Sequence, residues 1–123
     1  MGLFDGLLGH GSKTDVGAAQ RELEGVLLPG ETVEIAFRTV RDLLVFTDRR
    51  LIVVDKQGLT GRKVSYTSVP YRAINAFSVE TSGTFDLEAE LKIWVSGLPG
   101  PVEKTLAKGT DVKAVQAAIA AIL

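Results

Sequence analysis

The chain has 123 residues, 46% of them apolar and 24% charged, which is enough for one domain with its own core and too few for two. A formal net charge of −1 offers nucleic acid no bulk electrostatic hold. Without cysteine there is neither a disulfide nor a thiolate metal site, which suits a reducing cytosol.

Leu3, Phe4, Leu7 and Leu8 fall on one face of a short helical turn, but Asp5 and Gly6 interrupt them and no basic leader precedes, so the segment is not a secretory signal. Gly2 does not open a myristoylation site, because position 6 is Gly rather than Ser or Thr. No apolar run approaches the ~20 residues that span a bilayer, and a cytoplasmic protein is expected. Gly9-His10-Gly11-Ser12-Lys13 reads as a connector, so residues 1–13 form an apolar segment and linker ahead of a domain over 14–123. From Thr14, a fitting N-cap, Val16, Ala19, Leu23, Val26 and Leu27 mark an amphipathic helix over 14–28, stopped by Pro29-Gly30.

Val33, Ile35 and Phe37 then alternate with Glu34, Ala36 and Arg38 in a half-buried strand. Two dense apolar runs follow, Leu43-Leu44-Val45-Phe46 and Leu51-Ile52-Val53-Val54, separated only by Thr47-Asp48-Arg49-Arg50. Runs this short, rich in Val and Ile and stopped by turn residues, are buried strands rather than helices. A strand around Tyr66 comes next, then one placing Phe77 and Val79 on one face, and after Ser82-Gly83 a long alternating strand over residues 85–95. Its core positions are Phe85, Leu87, Ala89, Leu91, Ile93 and Val95, and its wet face carries Asp86, Glu88, Glu90, Lys92 and Trp94. Gly97-Leu98-Pro99-Gly100-Pro101 turns into a last strand near Val102 to Leu106. Thr110 or Asp111 caps a closing helix over 111–123, with Val112, Val115, Ile119 and Ile122 in one stripe. The fold class is mainly β: a seven-stranded antiparallel sandwich or partly open barrel plugged by the C-terminal helix, with an additional N-terminal helix.

The strand order and terminal helix resemble a pleckstrin-homology domain. Met1-Gly2-Leu3-Phe4, Phe46-Thr47-Asp48-Arg49-Arg50-Leu51-Ile52, the segment from Asp55 to Val64 and Val69-Pro70-Tyr71-Arg72-Ala73-Ile74 are similar to the single-domain bacterial members of that family, over nearly the whole chain. The resemblance implies a PH-like fold, ring-shaped homo-oligomers with five members, a role in binding other proteins, and no enzymatic activity.

Residues for chemistry are sparse. His10 is the only histidine and lies between glycines, so no zinc or Cys-His site can be assembled and no cofactor is expected. Glu88 and Glu90, with Asp86 in line, read as a solvated sheet face rather than an acid–base pair, which would need a concave, partly dry site. The glycines sit in turns and form no phosphate loop.

Charge is unevenly spread. Between Arg38 and Arg72 there are eight basic residues (Arg38, Arg41, Arg49, Arg50, Lys56, Arg62, Lys63, Arg72) against Asp42, Asp48 and Asp55, a balance of +5 that leaves −6 elsewhere. Three readings follow: ordinary solvated strand ends, a surface for anionic lipid or an acidic partner, or complementary patches meeting between copies. Phosphoinositide binding in PH domains relies on a long basic loop between the first two strands, and here that junction is only Arg38-Thr39-Val40-Arg41-Asp42. Trp94 on the charged strand face is either covered by its own chain or held for an interface, and the interface is favoured. With Tyr71 and Arg72 after Pro70, and Arg49, Arg50 and Lys63 from the basic stretch, it makes the expected interaction surface. The sequence reading is a self-assembling binding module whose partners are further copies of itself and an unidentified protein. The alternative is a peripheral membrane module that uses the N-terminal apolar segment beside the basic patch, a weak anchor with one signal.

Overall fold

The computed structural model describes residues 13–39, 42–57, 63–81 and 88–123. The N-terminal apolar segment, His10, Arg41, Arg62 and residues 85–87 of the long strand lie outside them. Helix α1 (Lys13–Glu22) precedes four strands, β1 (Val33–Arg38), β2 (Leu43–Thr47), β3 (Arg50–Gln57) and β4 (Lys63–Pro70), which pair antiparallel in sequence order. A 3-10 turn, Tyr71–Ala73, leads into a second antiparallel sheet of β5 (Ile74–Glu80), β6 (Ala89–Val95) and β7 (Val102–Leu106), and α2 (Val112–Ala120) follows.

The main core lies between the sheets. Ile35, Phe37, Leu44, Phe46, Leu51 and Val53 of the first sheet meet Ala89, Leu91, Ile93 and Leu106 of the second. Helix α2 closes this core with Ala114, Val115, Ala118 and Ile119, all buried, and Val112 and Ile122 packed alongside. Its cap is Asp111, whose side chain accepts a hydrogen bond from the Ala114 N–H at 3.1 Å, satisfying one of the free donors of the first turn. A bridge between Thr39 and Leu106 joins the first sheet to the second at the β1–β7 corner.

A second, smaller core explains the two dense apolar runs. Val33, Ala36, Leu43, Val45, Ile52 and Val54 point to the outer face of the first sheet, where Ala19 and Leu23 cover them. Strand β2 is therefore buried on both faces, all five residues of it, so alternation has no reason to appear in its sequence.

The helix expected over 14–28 ends earlier. It starts at Lys13, one residue before the expected cap at Thr14, and stops at Glu22. Gly25 takes φ = 89°, a left-handed conformation that a continuing helix cannot hold. Leu23, Val26 and Leu27 still reach the outer core, but from turns, so the apolar spacing was right while the backbone form was not. The closing helix is likewise shorter than 111–123, with Asp111 as its cap and its last full turn ending at Ala120.

Candidate interaction surfaces

Among the described residues, the turn between β2 and β3 is the most heavily bonded polar feature. Thr47 Oγ1 accepts from the N–H groups of Arg49 and Arg50, both at 3.0 Å, which fixes the turn from within. The same hydroxyl lies 2.7 Å from Glu31 Oε2, to which it donates. Arg50 then grips Glu31 with two donors, Nε to Oε2 and Nη2 to Oε1, each at 2.9 Å, and reaches the Val26 carbonyl at 3.0 Å and Ser68 Oγ at 2.7 Å. Glu31 is 3% exposed. Hydrogen bonding from the Arg50 guanidinium holds its carboxyl down to about 2, against the burial that alone would raise it. The result ties the α1–β1 connection to the β2–β3 turn.

Tyr71 completes this end. Its ring stacks on Phe46, 6.4 Å between centroids and 12° between planes, and its hydroxyl lies within hydrogen-bond reach of the Thr47 and Arg50 carbonyls. Burial, reinforced by the nearby carboxylates of Glu34, Asp48 and Glu31, pushes the phenol well above its usual range. Tyr71 therefore pins the 3-10 turn to the β2–β3 turn, and Arg50 is spent on Glu31. Arg49 and Arg72, on these two adjoining turns, have exposed side chains that make no ion pair with a described residue.

The six expected surface residues do not form one patch. Pro70 pairs with Arg50, whereas Lys63 pairs with Gln57 at the far end of β4, ~23 Å along the strand. Lys56 is held by Glu22 at 3.0 Å. The outward reach of the basic stretch at this end comes down to Arg49 and Arg72.

Trp94 is 39% exposed. It belongs to the outer face of the second sheet, opposite Ala76, and in register with Ser78, Glu80, Glu90, Lys92, Glu103 and Thr105 across the three strands. No described element lies over this face. Tyr66, 42% exposed, is on β4, which among the described residues has β3 as its one hydrogen-bonded neighbour.

A cleft of about 420 Å³ runs between the β6–β7 connection and strands β3 and β4, walled by Val53, Leu98, Pro101 and Val102. Its cation, Lys104, is 12% exposed and is held between Asp42, at 3.5 Å, and Asp55. Two carboxylates around one ammonium leave this cleft negative, which disfavours an anionic headgroup. Sequence reasoning placed Lys104 on the last strand without seeing its burial, and overlooked Glu31. Neither has a local signature, because their partners come from other strands.

A sandwich of four and three antiparallel strands closed by a C-terminal helix is the PH-like arrangement, and the bacterial PH domain family model matches residues 2–123. The chain belongs to that family. This bacterial PH domain is 54% identical over 123 residues to the uncharacterized protein YjqA of Bacillus subtilis strain 168, covering 99% of this chain and 98% of that one. It is similar in structure to the pleckstrin homology domain from Shewanella amazonensis SB2B, with a TM-score of 0.75, 52% identity and 96% and 95% of the two chains covered. A DUF1696 family protein with a pleckstrin-homology domain from Shewanella loihica PV-4 gives a TM-score of 0.69 at 52% identity, covering 85% and 90%. Among the described residues no group of His, Cys, Asp or Glu is arranged to hold a metal ion, and no helix is long and apolar enough to cross a membrane.

Proposed function

We propose that this bacterial PH domain is a non-enzymatic, self-assembling binding module that forms a ring of identical copies, five-membered, and uses the repeated sheet faces to bind another protein. The observation that carries the reading is the edge of β4: an eight-residue strand with one hydrogen-bonded neighbour among the described residues and an exposed tyrosine at its middle. Bare strand edges pair with other chains unless something blunts them. The split of +5 and −6 along the chain supports a head-to-tail contact, in which one copy's basic end meets the next copy's acidic surface. A ring then offers many copies of one weak site, and avidity supplies the binding strength. Size-exclusion chromatography with light scattering at tens of micromolar tests the assembly. A pentameric mass supports it, and a strictly monomeric mass overturns it.

A further inference from the structure

The outer face of the β5–β6–β7 sheet carries a charge arrangement that the fold by itself leaves unbalanced. The register sets Glu80 directly opposite Glu90, and like charges facing each other across an antiparallel pair destabilise it. The Thr105 hydroxyl donates to Glu90 Oε1 at 2.9 Å and holds that carboxylate in place. Lys92, between the glutamates and Trp94, is taken up by Glu103 at 3.6 Å. Four residues from Glu90, ~13 Å along β6, Trp94 stands on the same face. Its cross-strand neighbour is Ala76, whose single methyl leaves that flank of the indole uncovered. Glu80, Glu90, Trp94 and Glu103 are all exposed.

Paired carboxylates and the electron-rich face of an indole attract the same kind of group, a cation. We propose that this face docks a basic segment of a partner protein, bound in extended conformation, with two arginine or lysine side chains four residues apart. One cation sits between Glu80 and Glu90, and the other lies over Trp94. The ~13 Å between these positions is the rise of four residues in an extended chain. Arginine suits both places, because its planar fork matches carboxylates and its face stacks on an aromatic ring. Lys92, repelling a third cation in the middle, makes the spacing a condition of binding. A second copy of this chain is a poorer occupant: Arg49 and Arg72 lie on turns, and no described strand carries two exposed cations at this spacing. An anionic membrane surface would be repelled.

The proposal rests on the binding-module reading and not on the ring. The probe is a short Thr/Val-rich peptide, free of tryptophan, with two arginines four residues apart. Its control has the same composition with the arginines adjacent. Trp94 is the only tryptophan, so its fluorescence reports the site directly. The spaced peptide should change the emission saturably and weaken as salt rises. The adjacent-arginine peptide should bind several-fold more weakly. The double variant Glu80→Gln/Glu90→Gln, whose sites are exposed, should melt no lower than the parent and lose affinity by about tenfold or more. Absence of a saturable change, equal binding of the two peptides, or undiminished binding by the double variant overturns the proposal. So does a concentration-dependent emission change without peptide that Arg49→Glu/Arg72→Glu abolishes, since that gives the face to a second copy. A monomer that binds the spaced peptide overturns the ring and keeps this inference, and a ring that ignores the peptide does the reverse.

Discussion

Glu31 and Arg50, 19 residues apart in the chain, meet as a two-point ion pair whose guanidinium Nε and Nη2 each lie 2.9 Å from a different oxygen of one carboxylate. The pair is fully bonded around its rim: Glu31 also accepts from Thr47 Oγ1 and the Leu28 N–H, and Arg50 also donates to the Val26 carbonyl. That completeness is what makes the buried carboxylate affordable, and it sets the cost of breaking it. Glu31→Ala leaves a partly buried guanidinium facing no charge and should destabilise the domain by about 3–5 kcal/mol. Chemical denaturation measures this directly, and Glu31→Gln, which keeps some hydrogen bonds, should cost less.

The same pair makes stability depend on pH in one window. In the folded chain the Glu31 carboxyl is held at about 2, against 4.5 as the ordinary value. Between those values the unfolded chain binds a proton that the folded chain does not, so acidification favours unfolding. The contribution is fully present above about pH 5 and disappears as pH falls through about 2, amounting to roughly 3 kcal/mol. Unfolding free energy measured from pH 6 down to pH 2 should show this slope, and Glu31→Gln should remove that part of it.

Tyr71→Phe keeps the stacking on Phe46 but removes the phenol O–H that reaches the carbonyls of Thr47 and Arg50, of which the latter also lies 3.1 Å from the Thr47 hydroxyl. A loss of about 1–3 kcal/mol is expected, the usual cost of stranding buried acceptors. A variant as stable as the parent would mean that water reaches these carbonyls and the turn is not pinned by the phenol.

Ile119 is completely buried beneath α2, among residues from both sheets. Ile119→Asp places an unpaired carboxylate there and should cost several kcal/mol, a large part of a domain stability of ~5–15 kcal/mol. Thermal melting within a few degrees of the parent would refute the role of α2 as the plug.

What the sequence disclosed divides along the range of the interactions. Alternation in residues 89–95 and the stripe of Val115 and Ile119 are local patterns imposed by one wet face and one dry face, so that strand and the closing helix were legible. In β1 the expected half-buried alternation gives way, because a bulge between Val33 and Ile35 turns Val33 to the outer core and α1 covers Ala36 there. The double-sided burial of Leu43 to Thr47 could be read as burial, but the agent, α1 on the outer face, depends on where the chain returns. Glu31 with Arg50, and Lys104 with Asp42 and Asp55, are meetings of distant strands, and a single sequence carries no trace of them. Trp94 stood out because an indole among charges breaks the local pattern. The layout of the basic stretch was not legible for the opposite reason: Lys63 opens β4 and Arg72 lies in the turn beyond its other end, so residues close in sequence are far apart in space.

The like-charge pair Glu80 and Glu90 offers a test of the face that needs no ligand. Replacing Glu80 by Lys turns repulsion across β5 and β6 into attraction and should raise stability by about 0.2–1 kcal/mol. An unchanged stability would mean that the two carboxylates are screened too well to matter.

The edge of β4 makes the last prediction, because it separates assembly from the sheet face. Tyr66 is exposed at the middle of the strand, on the side away from the main core, and pairs across to Val54 on β3. Unpaired N–H and C=O groups along the far side of β4 attract another strand, and lysine on an edge is one way proteins prevent that. Tyr66→Lys should therefore break the oligomer into monomers and lower the unfolding midpoint of the monomer only modestly, since Tyr66 is 42% exposed and a lysine stem can cover part of the same surface. Light scattering across a concentration series and a melting curve of the dilute protein measure the two effects separately. Reversing charge at the basic end, Arg49→Glu with Arg72→Glu, should weaken assembly less and only at low salt, as exposed ion pairs are screened over ~10 Å at 0.1 M. If the double reversal dissociates the ring while Tyr66→Lys leaves it intact, the copies meet through charged turns and the strand edge has no part in it.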